Sequence, residues 1–263
     1  MLRSFRFRTL RIILLLIILF VVAMNTWLTS VRIHSWNRPV WVVLYPINAD
    51  GRRDTQAYIN ALSAEHFDEI KLFLQREADR YQVNLTPVAE FYLAPALLVQ
   101  PPEVELDASL FERVFWSLHM RWWSWRNDSW NGPEPDVRIY LRYFSPQESQ
   151  QLSHSLGLQK GMIGLVNGFA SVDYMGTNNF VIAHELMHTF GASDKYSLDT
   201  NEPLYPEGYA DPDQKPLLPQ TRAEVMAGRV KVSPGWLVMP QSLNDVVVGP
   251  LTANEIDWQQ SLH

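Results

Sequence analysis

The chain has 263 residues, 47% of them hydrophobic, which is enough for one sizeable domain with its own core. Its formal charge is −6, but four arginines lie within the first eleven residues, so the remainder carries −10 (−6 − 4). An acidic body argues against a nucleic-acid partner, because binding phosphates needs a basic surface. The absence of cysteine excludes disulfides and thiolate metal sites.

The N-terminal segment predicts a membrane anchor. Residues 12–24 are strictly apolar, and the uncharged run continues for about one bilayer span. No Ala-x-Ala cleavage site follows, which favours an uncleaved signal anchor. We therefore expect a cytoplasmic Arg-rich flank over 1–11, a transmembrane helix over 12–31, a linker over 32–39 and one domain over 40–263. The expected location is a bacterial cell envelope, with this domain outside the cytoplasm.

Strands and helices alternate in the first part of that domain. Apolar runs predict strands over 40–45, 91–99, 137–144 and 162–170. Helical spacing predicts helices over 63–83, over 107–125 with a cap at Asp107, and over 178–190. An irregular stretch up to residue 220, a short helix over 221–227 and a strand over 246–248 follow. This order predicts an α+β fold with a mixed sheet and a loop-rich C-terminal part.

The predicted helix over 107–125 is rich in tryptophan. Leu118, Trp122 and Trp125 share one face, and this face is expected to be buried. Trp116 and Trp123 form a second stripe. Core packing is the favoured interpretation, and a surface that faces a membrane or a partner is the alternative.

The segment His184-Glu185-Leu186-Met187-His188 carries the most specific chemical signal. Successive residues of a helix turn by about 100°, so His184 and His188 lie about 40° apart on one face and can bind one cation. Glu185 lies beside them, where its carboxylate can reach a metal-bound water without binding the metal. The pattern predicts a catalytic zinc site with Glu185 as the general base.

A catalytic zinc ion needs a third protein ligand and one open position. Gly191 allows the helix to end in a left-handed turn, after which the chain can double back and bring Asp194 to the metal. The alternative ligand is Glu207, but Pro206 and Gly208 flank it, which indicates a loop. Asp194 is therefore the favoured third ligand.

The eleven residues HELMHTFGASD resemble the extended motif of metzincin-clan zinc peptidases, in the variant with Asp in place of the third His. This Asp form is similar to that of the small snapalysin-type bacterial peptidases. The resemblance implies that His184, His188 and Asp194 bind zinc and that Glu185 is the general base. It also implies a metzincin-like fold around an active-site helix, and a methionine in a tight turn beneath the metal, for which Met226 is the best match.

These residues predict a membrane-anchored zinc endopeptidase that hydrolyses a protein or peptide substrate. Glu185 would take a proton from the zinc-activated water and deliver it to the leaving amine. Three phenols in the loop after the ligands are candidates for stabilising the oxyanion, namely Tyr196, Tyr205 and Tyr209. Two alternatives stay open: an envelope binding or assembly module that holds zinc for stability without catalysis, and a zinc amidase that acts on a non-protein amide.

Overall fold

The computed structural model of the protein describes residues 9–14, 16–17, 20–21, 24, 28, 31–32, 34–103, 109–147, 156–158 and 162–259. Most of the predicted Arg-rich flank lies outside the described residues, as does the cap predicted at Asp107. The predicted boundaries of the flank, the linker and the domain stay predictions, and so does the predicted location in the cell envelope.

The predicted transmembrane helix over residues 12–31 is wrong. Within the part of the chain that the structure describes, no helix has both the length and the apolar character needed to cross a membrane. A bilayer span requires about 20 consecutive residues of helix.

Among the described residues, a five-stranded sheet forms the centre of the fold. Its strands are β1 (Val40–Asn48), β2 (Ala89–Leu93), β3 (Val137–Phe144), β4 (Leu156–Leu158) and β5 (Ile163–Phe169). Their spatial order is β2-β1-β3-β5-β4, in which β4 is antiparallel to β5 and the other pairs are parallel. The result is a mixed sheet in a mixed α/β fold, which fits the predicted α+β class.

Helices lie in the crossovers that connect β1, β2 and β3, and parallel pairing requires such long connections. The crossover from β1 to β2 contains α1 (Arg53–Ala61) and α2 (Asp68–Arg80), and the crossover from β2 to β3 contains α3 (Leu110–Arg126). After β5 the chain enters α4 (Met175–Thr189). The predicted helix over 178–190 is therefore present, and it begins three residues earlier than expected.

The central sheet is buried on both faces, because successive side chains of a strand point to opposite sides. In β1, Val42 and Leu44 belong to one core cluster, and Val43 and Tyr45 belong to another. Helices α2 and α4 contribute to the first cluster, while α3 covers the second through Met120 and Trp123. The sheet thus separates two layers of helix, and α4 is held firmly against one face.

The C-terminal part contains short elements. They are β6 (Ala223–Glu224), a 3₁₀ turn (Val225–Ala227), β7 (Val230–Ser233), β8 (Trp236–Val238), a second 3₁₀ turn (Leu243–Asp245), β9 (Val246–Val247) and α5 (Pro250–Glu255). Strand β6 pairs with β9, and β7 pairs with β8. The short helix predicted over 221–227 is therefore a two-residue strand followed by a tight turn, while the β7–β8 hairpin, α1 and α5 were not predicted.

Helix α3 presents to solvent the face that was expected to be buried. Leu118, Trp122 and Trp125 are 48%, 56% and 76% exposed. Trp123, on the other stripe, is 5% exposed and packs edge-on against Tyr140 with 5.0 Å between the ring centroids. The helix has two apolar stripes, and the one containing Trp123 faces the sheet.

This orientation predicts opposite effects of two tryptophan substitutions. Trp123→Ala should lower the free energy of unfolding by about 3–5 kcal/mol, because it empties a buried site. Trp125→Ala should change it by no more than about 0.5 kcal/mol, because the side chain is already in solvent. Chemical denaturation of both variants measures the difference, and equal losses would contradict the orientation of α3.

Candidate metal centre

Helix α4 holds the two predicted histidine ligands on one edge. Its opposite arc is buried through Ala183, Leu186 and Met187, which belong to the core cluster beneath the sheet. This packing fixes the rotation of the helix about its axis. The rings of His184 and His188 then stand nearly perpendicular, with an interplanar angle of 89° and 4.8 Å between their centroids.

The end of α4 returns the chain towards these rings. Gly191 has a φ of 104°, a value that residues other than glycine rarely adopt. The Ala192 N–H donates to the Met187 carbonyl at 3.1 Å, which closes the last turn of the helix. Three residues after the glycine, Asp194 Oδ1 lies 3.3 Å from His184 Nε2 and 3.2 Å from His188 Nε2.

Backbone carbonyls set the orientation of both imidazoles. His184 Nδ1 lies 2.9 Å from the Val225 carbonyl oxygen, and His188 Nδ1 lies 2.8 Å from the Ala192 carbonyl oxygen. A carbonyl oxygen only accepts hydrogen bonds, so each Nδ1 carries the hydrogen. In a neutral ring the Nε2 atom is then a lone-pair donor to a metal, and its direction is fixed by the carbonyl behind the ring.

Three electron-rich atoms therefore converge at one point. They are the two Nε2 atoms and Asp194 Oδ1, all within 4.8 Å of one another. Asp194 Oδ1 is buried and has no hydrogen-bond donor when both rings are neutral. Such an arrangement is repulsive unless a cation or a proton lies between the atoms. The described structure thus confirms that His184, His188 and Asp194 could hold a metal ion.

The pKa values of the ligands indicate where that proton lies without a metal. Burial alone would lower the pKa of His184, but Asp194, Glu185 and the Val225 carbonyl outweigh it and raise the pKa to about 9. Burial would raise the pKa of Asp194, but the two imidazoles hold it well below its usual range. A metal ion therefore competes with the proton that His184 and Asp194 share.

Glu185 lies beside the ligands, where the sequence predicted a general base. Its side chain is buried, and its Oε2 atom has no hydrogen-bond partner among the described residues. Burial raises the pKa of this carboxyl, and the adjacent His184 and His188 offset part of that rise. A buried carboxylate oxygen without a hydrogen-bond partner can exchange a proton with a molecule that enters the site.

Tyr196 is the candidate phenol that packs against a ligand. Its ring centroid lies 6.4 Å from that of His184. Burial and the nearby carboxylates of Asp194 and Glu185 raise its pKa to about 12, so the phenol stays protonated at neutral pH. Tyr205, by contrast, is exposed and packs against Tyr209 at 5.4 Å.

The alternative third ligand lies outside the cluster. Glu207 is exposed and belongs to no metal-binding group within the described ranges. The sequence argument for Asp194 depended on the glycine turn, and the positive φ of Gly191 is consistent with that argument.

Met226 lies in a tight turn next to the site. It is fully buried in the 3₁₀ turn Val225–Ala227, which ends at Gly228 with a φ of 74°. The residue before it, Val225, supplies the carbonyl that orients His184. Sequence reasoning missed this contact and the matching one from Ala192, because a backbone carbonyl leaves no signature in the residue type.

No protein-family model matches the chain, and no curated protein matches its sequence. The resemblance of the segment from His184 to Asp194 to the metzincin motif therefore stays a prediction. The chemistry of the site rests on its geometry.

Replacing one imidazole should remove the metal. We expect His184→Ala to lose about one bound ion per chain, because the two remaining ligands bind the metal too weakly to retain it during dialysis. His119→Ala is the matched control, since His119 is exposed on α3. Metal analysis after dialysis at neutral pH checks this, and equal metal content in both variants would contradict the assignment.

Metal affinity should depend on pH in a defined direction. Because the pKa of His184 is about 9 in the metal-free site, binding at neutral pH must displace about one proton. Affinity should therefore rise about tenfold per pH unit between about pH 6 and pH 8, and fall as the pH is lowered. Calorimetry in buffers of different ionisation enthalpy measures the released proton, and binding without proton release would refute the shared-proton description.

Proposed function

We propose that the protein is a zinc-dependent endopeptidase. In this proposal His184, His188 and Asp194 bind zinc, and Glu185 is the general base. One observation carries the proposal: three metal-binding atoms converge directly beside a buried carboxylate whose Oε2 atom has no hydrogen-bond partner among the described residues. A site built only to stabilise the fold has no need of that carboxylate.

The chemistry of the ligand atoms favours zinc, and two of their three spacings are compatible with it, while all three atoms lie within 4.8 Å of one another. Zinc binds imidazole nitrogen and carboxylate oxygen at about 2.0–2.1 Å in a tetrahedron, whose corners are then about 3.3 Å apart. The two nitrogen-to-oxygen distances are 3.3 and 3.2 Å. Three protein ligands leave one corner for solvent or substrate, as in catalytic zinc sites. The neutral donor set of two imidazoles also suits zinc better than magnesium or calcium.

A bound zinc ion would act as a Lewis acid and make a water molecule more acidic. Glu185 then accepts the proton of the attacking water, and its buried position keeps it next to that water. The same carboxyl, now protonated, delivers the proton to the amine that leaves. Burial raises the pKa of Glu185, and this makes the carboxylate a better base for the first step.

Tyr196 fits the role of an additional donor to the oxyanion. Its pKa of about 12 keeps the hydroxyl hydrogen in place, so the phenol can donate a hydrogen bond at neutral pH. Its packing against His184 places it in the immediate surroundings of the ligands. The proposal includes membership of the metzincin clan in its Asp variant, with Met226 as the methionine of the turn beneath the metal.

Glu185→Gln should separate metal binding from catalysis. The amide keeps the size of the side chain but cannot accept the proton, so cleavage of casein or a peptide library should fall by about 10²–10⁴-fold. Zinc content should stay at one per chain, because Glu185 is not a ligand. Glu202→Gln is the matched control, since Glu202 pairs with Lys231 outside the ligand group and should keep full activity.

The two alternative functions give different results in the same assay. If the parent protein and Glu185→Gln both hold zinc and both leave peptides intact, the non-catalytic binding module is the better description. If the parent spares peptides but hydrolyses a non-protein amide, such as a cell-wall crosslink, and Glu185→Gln does not, the protein is a zinc amidase.

A further inference from the structure

The last described helix contacts the loop that carries Asp194. Glu255, at the end of α5, accepts two hydrogen bonds from Ser193, one from the backbone N–H at 3.0 Å and one from the hydroxyl at 2.7 Å. The two bonds go to different carboxylate oxygens. The residue immediately before the third metal ligand is therefore held by both its main chain and its side chain.

The residue immediately after the ligand is held by the same carboxylate. Lys195 is 4% exposed, and its Nζ donates to Glu255 Oε2 at 2.7 Å. The same ammonium donates to the Ser193 carbonyl at 2.7 Å and to the Ser193 hydroxyl at 2.9 Å, so its three donors are all used. A buried ammonium needs such complete pairing, which makes this geometry rigid.

Helix α5 is itself tied to the turn that supports His184. Glu224 is completely buried, and its Oε1 accepts from the Gly249 N–H at 3.0 Å and from the Thr252 hydroxyl at 2.7 Å, at the start of α5. Its Oε2 accepts from the N–H groups of Met226 and Ala227 at 2.6 and 3.0 Å. The start of α5 and the turn next to His184 are therefore joined through one buried carboxylate.

We propose that Glu255 is a positioning residue that holds Asp194 at the distance a metal ion requires, and so sets the metal affinity of the site. This role rests on the metal centre of the proposed function. It means that a residue that is not itself a ligand also determines the metal affinity. Asp194 lies between two residues that share one carboxylate, while α5 links that carboxylate to the support of His184. Loss of the contact would free the loop, and a shift of about 1 Å spoils tetrahedral coordination.

Glu255→Ala tests the role against a matched ion pair. Its zinc dissociation constant, measured by competition with a chromogenic chelator on the full chain, should rise about 10–100-fold, the usual range for residues that orient ligands. Glu202→Ala removes a Glu–Lys pair of similar length, 2.8 Å, outside the ligand group, and should keep the parent value within about twofold. An unchanged affinity in Glu255→Ala would overturn the proposal.

A spectroscopic measurement distinguishes positioning from general support of the fold. Cobalt(II) in the parent should show the strong visible absorption of a tetrahedral site, and Glu255→Ala should weaken it. The conservative Glu255→Gln keeps an acceptor for Ser193 but loses the charge opposite Lys195. Its zinc affinity should therefore lie between those of the parent and Glu255→Ala. If Glu255→Ala does not fold, Ser193→Ala removes only the hydroxyl bond, and it should still weaken zinc binding severalfold.

Failure of this proposal is distinct from failure of the proposed function. A parent that binds zinc but cleaves no peptide contradicts the peptidase, while the affinity comparison still tests Glu255. A parent that binds no zinc overturns both. A parent that binds zinc no more tightly than Glu255→Ala overturns the positioning role alone, and Ser193→Ala decides in the same way where Glu255→Ala does not fold.

Discussion

The site depends on two hydrogen bonds from imidazole N–H groups to backbone carbonyls. They fix the hydrogen of His184 and His188 on Nδ1, so both Nε2 lone pairs point at Asp194 Oδ1. Without these carbonyls each ring could turn, and the carboxylate could be satisfied by an ordinary N–H donor. With them, a buried acceptor faces two further acceptors, and only a positive charge relieves the repulsion. Beside this point lies the buried Glu185, whose Oε2 atom accepts no hydrogen bond from the described part of the chain and is therefore free to exchange a proton.

The supports of the site come from a distant part of the chain. The ligands lie on α4 and the turn after it, whereas Val225 and the carboxylates of Glu224 and Glu255 belong to the C-terminal part. Each of these two acids receives several donors, which offsets the cost of removing its charge from water. The irregular C-terminal part thus has a structural role, because its tight turn and short helix determine where the local ligands point.

The sequence could predict the ligand group because its geometry is local. The rotation of a helix places His184 and His188 together, and Gly191 permits the turn that returns Asp194. The sequence could not reveal which carbonyls orient the rings, nor the face of α3 that is buried. Both stripes of that helix are apolar, so periodicity identifies the helix but does not choose between Trp122 and Trp123. The predicted membrane span is overturned by one finding, that no helix within the described ranges is long and apolar enough to cross a bilayer.

The closeness of the three ligands in the chain has a consequence for biosynthesis. They span only eleven residues, so an unfolded or still growing polypeptide can already capture an ion through two imidazoles and a carboxylate. Val225 and Glu255 enclose that segment only after the chain has been made as far as Glu255. The denatured chain also has some affinity for the ion. A bound metal ion therefore raises the unfolding temperature by less than its affinity for the native protein alone implies.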